Sequence, residues 1–99
     1  MNNIEIMNFW IESSDEDYAT MKLLFENHKN SWCLFIGHLV IEKLLKAVYA
    51  KGHKGEPYAP RSHDLLYLAE RMGLEIDERH ADLLDIITKF NMSARYGDF

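Results

Sequence analysis

The chain has one cysteine, two prolines and no apolar run approaching the length of a membrane span. Cys33 stands alone, so no intrachain disulfide is possible and the fold rests on packing. Flanked by Trp32 and Leu34, it reads as a buried structural thiol rather than a nucleophile. A helix crossing a bilayer needs about 20 consecutive apolar residues, which this sequence does not supply. The opening "MNNIEIMNFW" lacks the basic start and long apolar core of a signal peptide, and a cytoplasmic protein is the expectation. The histidines at 28, 38, 53, 63 and 80 follow neither His-x-x-x-His nor Cys-x-x-Cys spacing, so no metal centre is expected and no cofactor is implied. "GHKGEP" lacks the length of a phosphate-binding loop and the hydroxyl residue after its lysine. No segment alternates with a period of two, and Asn-Gly and Asp-Gly hairpin signals are absent.

What is present points to helices. Apolar residues make up 47% and charged residues 27% of 99 positions, enough for one modest core and one folded domain spanning 1–99. From about Asn8 to Asn27, Trp10, Ser14, Tyr18, Met21 and Phe25 recur at steps of three and four, an amphipathic helix. A second helix is expected over Ser31 to Ala50. A third, short one is expected over Asp64 to Met72, with Ser62 as N-cap and Gly73 as its stop. A fourth begins at the cap Asp77 and runs to about Phe90, with Leu83, Ile86, Ile87 and Phe90 facing one way and Asp82, Asp85 and Lys89 the other. Short connections between such helices favour an all-α, antiparallel up-and-down four-helix bundle. The one long irregular stretch, "KGHKGEPYAPRSH" over residues 51–63, holds both prolines.

The second helix carries an anomaly. It is apolar nearly all round, yet "IEKLLKA" places Glu42, Lys43 and Lys46 along one ribbon shared with Phe35 and Leu39. Leu34, Ile41, Leu45 and Val48 form the opposite, apolar face, and the helix is expected to be central. Glu42 precedes Lys46 by four residues, the favourable order for an ion pair. The ribbon is read as a partly covered boundary, which a second subunit could cover. Net charge is −5, but unevenly spread. Residues 1–26 hold six acids against Lys22 alone. Residues 43–63 hold Lys43, Lys46, Lys51, Lys54 and Arg61 against Glu56 alone. A local basic patch of this kind can take an anion whatever the total charge.

Four stretches in order carry a resemblance: Trp10 followed by Asp17; Glu42, Lys43, Leu45, Lys46 and Ala47; His63, Asp64 and Leu65; and Arg95 with Tyr96. In this order they resemble the HEPN domain (higher eukaryotes and prokaryotes nucleotide-binding). The resemblance implies a helical bundle, usually a homodimer. Some members are metal-independent ribonucleases, including toxins of toxin–antitoxin pairs. Others bind nucleotides or RNA, or simply a partner that is a minimal nucleotidyltransferase. The ribonucleases carry an Arg and, four to six residues later, a His. Arg95 is the candidate here, but the sequence reaches Phe99 without that His, and the family's final helix is not found after it. The expectation is therefore a binding module rather than an enzyme, in a two-component, toxin–antitoxin-like system. A ribonuclease toxin whose His lies downstream and a structural interaction module are the alternatives. Lys43, Lys46, Arg61, His63, Arg95 and Tyr96 are the candidate nucleotide- or RNA-binding residues. His63 on its own reads as a helix-start histidine satisfied by a carboxylate or backbone contact.

Overall fold

The computed structural model describes residues 2–53 and 57–96, with side chains as far as Asn91. Four helices follow one another: α1, Asn3–Glu26; α2, Asn30–Gly52; α3, Leu65–Arg71; and α4, Glu78–Tyr96. All regular structure among the described residues is helical, and the all-α bundle is as expected.

The helix ends have local causes. α1 starts five residues before Asn8, because the Asn2 side chain accepts from the Glu5 amide at 2.9 Å and caps it. It ends where His28 takes φ +58°, and the Lys29 amide reaches back to the Leu24 carbonyl at 2.8 Å. That is the closure usually built on a glycine. The cap of α3 is Asp64, not Ser62. Asp64 Oδ1 accepts from the Tyr67 amide at 3.1 Å, while Ser62 Oγ accepts from the Asp64 amide and shapes the turn before it. Gly73 stops α3 as expected, at φ +75°, which a side chain would strain. α4 continues through Asn91 to Tyr96 where the sequence suggested an end at Phe90.

Asp77 caps α4. Its Oδ1 accepts from the His80 amide at 2.8 Å and from His80 Nδ1 at 2.7 Å. The backbone bond from His80, then its side chain, hold the Asp77 carboxyl below its ordinary value of 3.8. A group depressed in the folded state stabilises above its unfolded value and loses that contribution as pH falls through the folded one. Asp77→Ala is therefore expected to lower the unfolding midpoint at neutral pH. The gap to the parent should narrow once pH drops below about 3.8. A gap constant from pH 7 down through that range removes the linkage.

α2 is the hub. α1 lies antiparallel along one side of it, and α3 and α4 contact its other side and each other. The close approach of α1 has a visible basis. Ser14 is buried and donates to the Val40 carbonyl at 3.0 Å, and a Cβ at Gly37 would meet Met21 Sδ at 3.2 Å. The core is small: Ile6, Ala47, Ala50, Leu65, Leu68 and Ala69 lie almost wholly inside. No helix of the described residues is long and apolar enough to cross a membrane.

The burial pattern corrects two expectations, on α2 and at Cys33. On α2, Leu34 and Val48 of the apolar face are largely exposed, whereas Glu42 is 4% and His38 0% exposed. The charged ribbon is thus the more buried side, because α1 and the 57–64 segment converge on it. On α4, Leu83, Ile86 and Phe90 are substantially exposed, while Asn91 is buried and Leu84, Ile87 and Thr88 are half-buried. The Thr88 hydroxyl accepts the Leu65 amide at 3.1 Å and turns that side of α4 toward α3. Cys33 is half-buried rather than buried, since it borders an open groove with Tyr18, Met21 and Leu34.

Candidate functional site

The charged ribbon of α2 answers to two other parts of the chain. Lys43 turns to α1, where its Nζ lies 2.6 Å from Asp17 Oδ2 and donates to Ser13 Oγ at 2.7 Å. Lys46, one turn on, lies against the same helix: its Nζ sits 5.0 Å from the centre of the Trp10 ring. Trp10 and Asp17 are two turns apart on α1, and Lys43 and Lys46 one turn apart on α2. The antiparallel packing of α1 on α2 makes these pairs meet, so two of the sequence motifs become one clasp.

Glu42 organises the second part. Its Oε2 accepts from Lys46 Nζ at 3.2 Å and its Oε1 from His63 Nδ1 at 2.7 Å. A carboxylate so nearly excluded from water needs such donors. Here each oxygen has one. His63 is held from its backbone too, because buried His38 donates from Nε2 to the His63 carbonyl at 2.6 Å. Its ring is therefore tied at Nδ1, which leaves Nε2 as acceptor in the neutral imidazole and as donor in the imidazolium. The His63 side chain as a whole is 53% exposed. The expectation of a carboxylate contact for His63 matches this geometry. Its partner comes from α2, not from the start of its own helix.

Fastening His63 to α2 folds the preceding segment back over Trp10 and Lys46. A cleft of about 310 Å³ forms there, lined by Trp10, Lys46, Tyr58, Ala59, Pro60 and Arg61. Arg61 is exposed and makes no ion pair among the described residues. Lys46 has only a shared hold on Glu42. Two cations and two aromatic rings, from α1, α2 and the loop, thus meet in one concavity beside an oriented histidine. Cations suit phosphate oxygens, and aromatic faces suit bases.

The sequence candidates divide accordingly. Lys46, Arg61 and His63 are brought together. Lys43 is not; Asp17 draws it toward α1. Lys51 is exposed in the last turn of α2, and Lys54 lies outside the described residues. Arg95 and Tyr96 end α4, with side chains outside the described residues. α4 runs antiparallel to α2 with Ile87 level with Ile41, so it carries Arg95 toward the N-terminal half of α2 and away from Lys46. Sequence reasoning missed Tyr58 and the wall made by Trp10. The signal for Tyr58 was an aromatic residue between two prolines and next to a run of bases. Among the described residues, no group of three His, Cys, Asp or Glu side chains could hold a metal ion.

No curated protein matches the chain at significance, and no solved structure does. One protein-family model does match, that of the HEPN domain, and it covers residues 7–99. It takes in α2, α3, α4, all but the first turn of α1, and each of the motifs that build the clasp and the cleft. Members of this family are generally associated with nucleotides or RNA. With nearly its whole length matched, the chain belongs to the HEPN family.

Proposed function

We propose that this chain is a nucleotide- or RNA-binding module and that its ligand enters the cleft between Trp10, Lys46 and the 58–61 loop. The observation that carries the reading is the meeting of Arg61 and Lys46 with two aromatic rings in one concavity. Arg61 supplies a planar fork for phosphate oxygens, and Lys46 a second positive charge within the same space. Glu42 and His38 act behind the cleft, fixing the loop through His63.

Phosphate contacts release counterions, so binding should weaken as salt rises, with a slope set by the number of contacts. Fluorescence anisotropy of a labelled RNA at about 50 mM salt is the direct test, the range in which such contacts are strongest. Arg61→Ala is expected to weaken binding and to reduce the salt slope by about one contact. If no RNA, single-stranded DNA or ATP binds under those conditions, a structural interaction module becomes the better account. Cleavage of the RNA by the 99-residue protein would instead favour a ribonuclease.

The partner reading belongs here as well. Phe25, Leu34, Leu83, Ile86 and Phe90 are exposed apolar side chains, and an apolar groove of about 360 Å³ runs between α1, α2 and α4. Covering apolar surface yields about 25 cal/mol per Å², which supports a homodimer at micromolar concentration. A clean monomer by light scattering across that range, with the helices intact, removes it. Pairing with a nucleotidyltransferase in a two-component system is the wider setting we propose for the module, supported by its family membership.

A further inference from the structure

We propose that the ligand presents a single unpaired base, which enters the slot between Trp10 and Tyr58 while Lys46 turns from the indole to the phosphate. This rests on the cleft being the nucleotide site, and three observations carry it further. The first is the position of Lys46. Its ammonium covers the Trp10 ring at 5.0 Å, while its hold on Glu42 is at 3.2 Å. A cation over a ring that water can reach is a weaker contact than a base stacked on it. Lys46 thus fills the place a base would take. Turning away removes the donor to Glu42 Oε2, a cost the stacked base has to exceed, while His63 Nδ1 stays bonded to the other oxygen at 2.7 Å.

The second observation is Tyr58. It is 69% exposed and makes no ring contact among the described residues, although the loop that carries it is fastened through His63. An aromatic ring held out in water on an anchored loop offers a free face. The third is size. A cleft of about 310 Å³ stands at the lower end of the range for small-ligand sites, roughly 300–1,000 Å³. That is room for one base with its phosphate. In a duplex the bases are stacked and paired, so only the backbone could reach Arg61 and Lys46. Recognition of this kind selects single strands, loops or free nucleotides.

The test uses the 99-residue protein with Trp32→Phe, which leaves Trp10 as the one indole and alters an exposed position. A short single-stranded RNA and the blunt duplex of the same sequence are titrated at low salt. Tryptophan emission is read together with anisotropy of the label. The single strand should quench Trp10 saturably, and the duplex should bind on the order of tenfold more weakly without quenching. Tyr58→Ala in the same background should weaken single-strand binding by about tenfold and leave the salt slope unchanged. Equal affinity for both forms with unchanged emission, while Arg61→Ala still weakens each, overturns the base slot and leaves a phosphate site standing. Absence of binding to either form brings down the nucleotide reading itself, and this proposal with it.

Discussion

Glu42→Ala is expected to lower folding stability by about 3 kcal/mol. Glu42 is 4% exposed and holds Lys46 with one oxygen and His63 with the other. Removing it leaves two donors facing an emptied pocket. Breaking a fully buried pair costs about 3–5 kcal/mol. The lower end applies here because the Lys46 and His63 side chains, 18% and 53% exposed, can turn to water. Glu42→Gln keeps the shape and one acceptor, and should cost about half as much. Either change also frees the loop that closes the cleft, so RNA binding should fall along with stability. The reference is Glu12→Gln on the exposed side of α1, where a change of less than about 0.5 kcal/mol is normal for a surface position. Urea unfolding midpoints for the three variants decide the matter. If Glu42→Gln moves the midpoint no further than Glu12→Gln, the ribbon is ordinary solvated surface.

Ser14→Leu is expected to cost about 1–3 kcal/mol, the usual range for overpacking. Ser14 lies in the seam where α1 meets α2, 1% exposed and bonded to the Val40 carbonyl. Gly37 brings the same seam so close that even a methyl group would press on Met21 Sδ. There is no space for a larger side chain without moving α1 outward. Displacing α1 would carry Asp17 from Lys43 and Trp10 from Lys46, so the clasp and the cleft wall loosen together. Ser14→Ala, which removes only one hydrogen bond, should cost about 1 kcal/mol. A Ser14→Leu protein with the parent's midpoint and undiminished RNA binding would show that α1 does not depend on this seam.

These two positions mark where the sequence was legible and where it was not. The existence and order of four helices could be read from apolar spacing, from Asp77 as a cap and from Gly73 as a stop, because these are local properties of the backbone. The Glu42–Lys46 pair was legible for the same reason: four residues on a helix fix the distance. The motifs of the family were legible as motifs. Their meaning was less so, since "EKLLKA" fits any charged helix until its neighbours are known.

Which face of a helix is inside was decided by the tertiary structure alone. Ser14 looks like a weak member of an apolar stripe, yet it is buried because two backbones pass too closely for anything larger. Leu34 and Val48 look like core and are exposed, whereas the polar His38 and Glu42 are inside. The reason is that burial follows what a face meets. A segment 21 residues further along the chain returns to supply His63, and α1 supplies Trp10 and Asp17. The sequence by itself determined a helical HEPN chain, its basic stretch and the residues able to hold an anion. Only the tertiary structure decided that Lys43 is taken by Asp17, that Lys46 and Arg61 share one cleft with two aromatic rings, and that a buried carboxylate holds the loop in place. Those outcomes depend on contacts between residues far apart in the chain, which no local pattern encodes.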